Sequence, residues 1–235
     1  MNRVAVIIPA AGQGSRLGFK TPKTFVDLAG TPILVRTIAV FARSRRIGII
    51  QPVLPRAFLG AFRRRLAKEG WRQCLPAVPG GRERQDSVAA GLRALPNDVD
   101  YVMIHDGARP FVTLPLIHRV LEEAQRHGAA LAAIPIQDTV KRVSPHLFLA
   151  GTVDRRSLWL AQTPQAFQAS LLREAYARAR TQPTVATDDA ALVEALGHPV
   201  RVVPGSPLNL KITTREDLAL SRAFLHDATG ARRDR

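Results

Sequence analysis

Short runs of apolar and β-branched residues recur along the chain, at Val4 to Ile8, Gly48 to Leu54, Tyr101 to His105, Ala129 to Ile136 and Val200 to Val203. Such runs, bounded by Gly, Pro or polar residues and lacking a polar alternate position, predict strands buried on both faces. Between them the apolar positions return at helical spacing. Ile33, Leu34, Thr37, Ile38 and Phe41 share one face of a helix for which Thr31 is the predicted cap and Pro32 the first residue. Ile117, Val120, Leu121 and Ala124 form a second face, Leu171, Leu172, Ala175, Tyr176 and Ala179 a third, and Leu192, Val193 and Leu196 a fourth before Gly197. Strands alternating with helices predict an α/β fold of three layers, with a mostly parallel, doubly wound sheet covered on both sides.

One segment departs from the alternation. From Asp138 to Arg155 there is no helical period; β-branched residues stand at both ends, with Ser144-Pro145-His146 and Gly151 between them. A β-hairpin arm over about 138–156, projecting from the sheet, is the expected structure. No repeat and no Ser/Gly linker divides the chain. Its 235 residues suit one core, since single cores stop growing near roughly 250 residues. A single domain over 1–228 follows, with a polar, basic tail from Thr229 to Arg235 expected to be disordered.

Charge adds a question about partners. There are 34 Lys plus Arg against 19 Asp plus Glu, a net charge of +15 that suits either nucleic-acid phosphates or small polyphosphorylated metabolites. Only Lys20, Lys23, Lys68, Lys141 and Lys211 are lysines, so the excess is nearly all arginine. Arg43-Ser44-Arg45-Arg46 and Arg63-Arg64-Arg65 have no interleaved aromatics and read as solvated helix faces or ends rather than a nucleic-acid stripe. The single cysteine, Cys74, excludes an internal disulfide and a thiolate metal cluster, which points to the reducing cytoplasm. No apolar run reaches the roughly 18 residues of a membrane helix, and Met1-Asn2-Arg3 leads into a strand-like run rather than a signal peptide.

In an α/β sheet the ligand crevice lies beyond the carboxyl ends of the strands. After the first strand comes Pro9-Ala10-Ala11-Gly12-Gln13-Gly14-Ser15-Arg16-Leu17-Gly18, then Lys20-Thr21-Pro22-Lys23. Small residues let backbone N–H groups approach a phosphate, and Arg16 and Lys23 supply two cations. The spacing matches neither a Walker A loop nor the dinucleotide fingerprint, because Gly18 falls one place late for the latter.

Further segments occur in a fixed order: Gly80-Gly81-Arg82-Glu83-Arg84-Gln85-Asp86-Ser87-Val88, His105-Asp106-Gly107-Ala108-Arg109-Pro110 and Asp138-Thr139-Val140-Lys141-Arg142. Thr152-Val153-Asp154-Arg155, Thr163-Pro164-Gln165, Thr187-Asp188-Asp189-Ala190 and Asn209-Leu210-Lys211-Ile212-Thr213 follow. With the P-A-A-G-x-G-x-R loop, this set resembles the 2-C-methyl-D-erythritol 4-phosphate cytidylyltransferases, nucleotidyltransferases of the non-mevalonate isoprenoid pathway, from Val4 to about Leu225. The resemblance implies a Rossmann-like fold of the nucleotide-diphospho-sugar-transferase kind. It also implies attack by a polyol phosphate on the α-phosphorus of CTP, with Mg²⁺ or another divalent cation as cofactor.

By that resemblance Arg16, Lys23, Arg155 and Lys211 are catalytic. Ala10, Ala11, Gly12, Gly14, Arg16, Lys23, Gly81, Arg84, Ser87, Asp106, Gly107 and Lys211 would bind CTP, Gly81 and Ser87 reading the cytosine. Arg82 departs from relatives that carry an acidic residue there. Asp106, Arg109, Thr139, Arg155, Thr163 and Thr187 would bind the polyol phosphate, and Asp106 is also the best carboxylate for the metal. The arm would cross to a second subunit, so that Thr139 and Arg155 complete a homodimer partner's site. A ribitol 5-phosphate cytidylyltransferase shares the loop and the use of CTP, and a nucleic-acid-binding module is the reading from another class. Among the remaining residues, His105, Trp71 and Trp159 read as packing, and His118, His127, His146, His198 and His226 lack metal-ligand spacing.

Overall fold

A computed structural model of the chain describes residues 2–12, 22–182 and 186–230. In chain order its elements are β1 (Val4–Pro9), β2 (Asp27–Leu28), β3 (Thr31–Pro32), α1 (Ile33–Ala42), β4 (Ile49–Leu54), α2 (Leu59–Glu69), β5 (Val78–Pro79), α3 (Arg84–Ala94) and β6 (Tyr101–Ile104). They continue with α4 (Leu114–His127), β7 (Ala129–Pro135), β8 (Val140–Val143), β9 (Leu149–Val153), β10 (Trp159–Gln168), α5 (Ala169–Thr181), α6 (Asp189–Glu194), β11 (Arg201–Pro204) and α7 (Arg215–Gly230).

The main sheet has the order β11-β7-β10-β6-β1-β4-β5. Its pairs are parallel except those of β10, which runs antiparallel to both β6 and β7. Both faces are covered, as the unalternating apolar runs require. Val4, Val6 and Ile8 of β1 pack with Leu34, Ile38 and Phe41 of α1, Phe62 of α2 and Ile117, Val120 and Leu121 of α4. Ala5 and Ile7 point the other way, toward Val88 and Leu92 of α3, Leu172 and Tyr176 of α5, and Leu192 and Val193 of α6. Helix α3 packs tightly on this face: a Cβ on Gly91 would lie 2.6 Å from Ile7 Cγ2. Helix α7 closes a smaller cluster of Leu28, Ile33, Ile212 and Leu218. Among the described residues no helix is long and apolar enough to cross a membrane.

The elements differ from expectation at the start of α1. Thr31 does not cap α1; it pairs with Leu28 in a short β-ladder, and Pro32 precedes the helix with no side-chain cap. The sheet is mostly parallel, as expected, and β10 is its antiparallel central strand, which the apolar pattern does not reveal. Helix α3 opens on Glu83: the Glu83 carboxylate accepts the Asp86 backbone N–H, and the Asp86 carboxylate accepts the Glu83 N–H at 3.0 Å. The arm is present as expected, β8 and β9 pairing from Val140 with Val153 to Val143 with Leu149. Thr229 and Gly230 of the expected tail instead continue α7 to its end, and residues 231–235 lie outside the described residues.

Candidate active site

The chain runs from β1 outward through β4 to β5 and then returns to β6 on the other side of β1. The loops after β1 and β6 therefore flank a reversal of strand order, the place where a doubly wound sheet leaves a crevice. Backbone bonds fix both loops to the sheet. Ala10 N–H donates to the Val53 carbonyl at 2.8 Å and Gly107 N–H to the Pro9 carbonyl at 3.2 Å. The turn before α3 forms a third wall. A Cβ on Gly80 would sit 2.3 Å from Ala11 Cβ and 2.7 Å from Ser87 Oγ, so this turn closes on the first loop only because residue 80 has no side chain.

Two concavities meet here. Ala10, Ala11, Gly12, Lys23, Gly81, Arg84, Ser87, Asp106, Gly107 and Lys211 line the first, together with Arg82. Every described residue expected at the nucleotide is thus brought together. Gly14 and Arg16 lie outside the described residues. Arg109, Thr163 and Thr187 line the second with Gln162, Gln165 and Asp188; Arg84, Asp106 and Lys211 belong to both. Thr139 and Arg155 stand apart from both concavities, exposed at the two feet of the arm.

The shared wall is an ionic cluster. Asp106 is buried, with Lys211 Nζ 2.6 Å from Oδ2, Arg84 Nε 3.2 Å from Oδ1 and Arg109 Nε 3.9 Å from Oδ2. Burial alone would raise its pKa; the charges of Arg84, Lys211 and Arg109 outweigh it and hold the carboxyl well below the usual carboxylate range. Arg84 continues the network, its Nη2 lying 2.7 Å from Asp189 Oδ2, while the Tyr176 hydroxyl donates to Asp189 Oδ1 at 2.5 Å. Burial opposes the charge on Arg84, but Asp189 and Asp106 more than compensate and its pKa is raised. Burial lowers the pKa of Arg109 despite Asp106 beside it. Asp106 thus holds cations in position against their mutual repulsion before any substrate anion arrives.

Several supports escaped the sequence reading. Gln162 Nε2 donates to the Ser206 carbonyl at 2.9 Å and Gln162 Oε1 accepts from Asn209 Nδ2 at 3.2 Å, which fixes the loop that delivers Lys211. Gln165 Nε2 donates to Asp188 Oδ2 at 2.8 Å, and Asp188 caps α6 by accepting the Ala191 N–H at 3.0 Å. Asp188-Asp189 and Gln165 stand in matched motifs and Tyr176 on a predicted helix face, but no spacing in the sequence pairs them with one another. His105, read as packing, is also more than that: both ring nitrogens are hydrogen-bonded. Trp71 does pack partly buried against the core, whereas Trp159 is half exposed at the foot of the arm.

The donor set does not make a protein cage for a metal. Among the described residues no three His, Cys, Asp or Glu side chains group to hold an ion. Both Asp106 oxygens already face cations.

Comparisons with known proteins agree with the geometry. The family model described as IspD, 2-C-methyl-D-erythritol 4-phosphate cytidylyltransferase, matches residues 4–227. The protein of that name from Syntrophus aciditrophicus is 44% identical over 229 residues, covering 97% of this chain and 98% of the relative. That from Geobacillus thermodenitrificans is 43% identical, covering 96% and 97%. Among solved structures, 2-C-methyl-D-erythritol 4-phosphate cytidylyltransferase from Thermus thermophilus is similar with a TM-score of 0.77 at 39% identity, covering 95% of this chain and 98% of that one. The 4-diphosphocytidyl-2C-methyl-D-erythritol synthase from Anaerococcus prevotii has a TM-score of 0.84 at 29% identity, covering 96% and 99%. With a family match over nearly its whole length and an ionic cleft built from the family's motifs, the chain belongs to the 2-C-methyl-D-erythritol 4-phosphate cytidylyltransferase family.

Proposed function

We propose that the cleft transfers a cytidylyl group from CTP to 2-C-methyl-D-erythritol 4-phosphate, giving 4-CDP-2-C-methyl-D-erythritol and pyrophosphate in isoprenoid precursor synthesis. The observation that carries this is the Asp106 cluster, which places Arg84 and Lys211 on the wall shared by two concavities. A phosphate monoester is mostly dianionic at pH 7, its second pKa being about 6, so the nucleophile needs no base. One of its oxygens forms a bond to the α-phosphorus while the bond from that phosphorus to the β-phosphate oxygen breaks, and pyrophosphate leaves with the electron pair. The barrier is the approach of two anions and the charge that builds on the transferring group, and fixed cations lower it by electrostatic stabilisation. Lys23 on the nucleotide side and Lys211 between the concavities fill that role, with Arg16 assigned to it from the sequence. Gly81, Ser87 and the start of α3 suit recognition of a pyrimidine edge.

A divalent cation, Mg²⁺ in this reading, would be held mainly by the CTP phosphates and would screen their charge, a role that needs few protein ligands. Thr139 and Arg155 serve the site of a second subunit. The arm supports this, since a lone two-stranded ribbon is marginal in water and its tip exposes Leu147, Phe148 and Leu149 at 86%, 74% and 73%. Cytoplasmic residence is supported by the single, buried Cys74.

Pyrophosphate release tests the reading: turnover is expected with CTP and methylerythritol phosphate, well above that with ATP, GTP or UTP. Preference for ribitol 5-phosphate would replace the acceptor, and no turnover with either polyol phosphate would end the proposal. Arg155→Ala should chiefly raise the KM for the polyol phosphate; an equal rise for CTP, or a fully active monomer in sedimentation, would contradict the shared site.

A further inference from the structure

The imidazole of His105 is fully buried against Phe41, the ring centroids 4.9 Å apart. Its Nε2 lies 3.1 Å from the Arg109 carbonyl oxygen and its Nδ1 3.1 Å from Thr163 Oγ1. From there a circuit closes: the Thr163 carbonyl accepts from Asn209 Nδ2 at 2.8 Å, and the Asn209 carbonyl accepts from Arg109 Nη1 at 2.7 Å. One branch leaves it, the backbone N–H of Asp106 donating to Thr163 Oγ1 at 3.0 Å.

The chemistry of the donors fixes each direction. A carbonyl oxygen only accepts, so Nε2 must carry the ring proton. The ring is wholly buried against Phe41 with a carbonyl and a hydroxyl, and no carboxylate, on its two nitrogens, a setting for the neutral form, so Nδ1 has a lone pair and accepts the Thr163 hydroxyl proton. The Thr163 oxygen is then free to accept from Asp106. Three segments are tied together in this way: the loop after β6, the middle of β10 where its ladder to β7 breaks between Ala161 and Gln165, and the loop after β11.

We propose that His105 is a positioning residue for the transfer, setting the backbone at Asp106 through Thr163 and the guanidinium of Arg109 through Thr163 and Asn209. It touches neither substrate. Its effect falls on the second concavity, where Arg109 and Thr163 face the phosphate acceptor, and the inference rests on the reading of that concavity as the polyol phosphate site. A second consequence is that Thr163 donates its proton inward, so toward a ligand it presents a lone pair and suits an acceptor hydroxyl rather than a phosphate oxygen.

A purely space-filling histidine would affect folding without sorting the two substrates. The test is steady-state kinetics of wild type, His105→Phe, Thr163→Val and Thr163→Ser, with both KM values measured. His105→Phe keeps the aromatic volume and removes both bonds; Thr163→Val removes the hydroxyl alone. Each should lower kcat/KM for the polyol phosphate by about tenfold or more, because small misplacements of positioned groups cost that much, and should disturb the KM for CTP far less. Thr163→Ser should restore most of the loss. The double variant should be no worse than its worse parent, since both changes break one chain of bonds.

Nitrogen NMR of histidine-labelled protein supplies a readout independent of turnover and of whether His105→Phe folds. The His105 ring should show a protonated Nε2 and an accepting, unprotonated Nδ1. A protonated Nδ1, or Thr163→Val with wild-type kinetics for the polyol phosphate, would overturn the inference while leaving the activity in place. Wild-type protein inactive with every polyol phosphate would instead overturn the functional reading beneath it.

Discussion

Asp106→Asn removes one charge and almost no volume, and it separates the two jobs of the cluster. In the native site Lys211 Nζ stands 2.6 Å, Arg84 Nε 3.2 Å and Arg109 Nε 3.9 Å from the carboxylate. At an effective dielectric constant near 20, a single pair about 4 Å apart is worth about 4 kcal/mol, and desolvation of the buried carboxylate offsets part of the sum. Arg84 keeps Asp189, and Lys211, 37% exposed, relaxes toward water, so the cost falls mainly on buried Arg109. Removing one partner of a buried ionic group costs about 3–5 kcal/mol, and those relaxations favour the lower end, about 3 kcal/mol. In urea this is a midpoint lower by about 1 M or more, for slopes of about 1–3 kcal/mol per molar. Pyrophosphate should restore more stability to the variant than it adds to wild type, since the polyanion meets cations no longer neutralised by a carboxylate. Equal midpoints, or equal stabilisation of both proteins by pyrophosphate, would refute the idea that Asp106 holds these cations together.

Stability should also depend on His105. The unfolded ring takes a proton below its ordinary value of 6.5 and the folded one only below about 4, so stability falls as pH drops through that window and levels off beneath it. The loss amounts to about 3 kcal/mol, and His105→Phe, lacking it, should close on wild type as pH falls from 7 to 4 in urea titrations; a constant gap would contradict it. Lys23→Ala should lower kcat by orders of magnitude with an unchanged melting temperature, as when a developing transition-state charge loses its partner; unchanged kcat would remove Lys23 from catalysis. Gly80→Ala forces a Cβ into Ala11 and Ser87 and should raise the KM for CTP about tenfold while sparing that for the polyol phosphate. An unaffected KM for CTP would mean that this turn does not shape the nucleotide wall.

What the sequence hid has a common cause. β1 and β7 are legible because they are buried in apolar runs that nothing polar interrupts, and β4 is broken only at Gln51, whose side chain donates to the Pro52 and Pro76 carbonyls. From Gln162 to Phe167 β10 lies just as deep, yet this stretch carries Gln162, Thr163 and Gln165, whose polar groups support the cleft, and the apolar pattern breaks for that reason. Helix α3 was masked likewise, its first turn being the charged cleft wall itself. The cleft residues in matched motifs were found on sight. Pairings across the chain, Arg84 with Asp189 and Tyr176, or His105 with Thr163, depend on which loops the sheet order brings together, and no local spacing encodes that.

The central claim is direct attack by the acceptor phosphate on the α-phosphorus of CTP within the Asp106 cluster. It is tested most directly with 2-C-methyl-D-erythritol 4-phosphate whose phosphate oxygens carry oxygen-18, following both products by phosphorus NMR. The label should appear in the bridging oxygen of the new diphosphate and be absent from pyrophosphate. Labelled pyrophosphate, or an unlabelled bridge, would contradict the account.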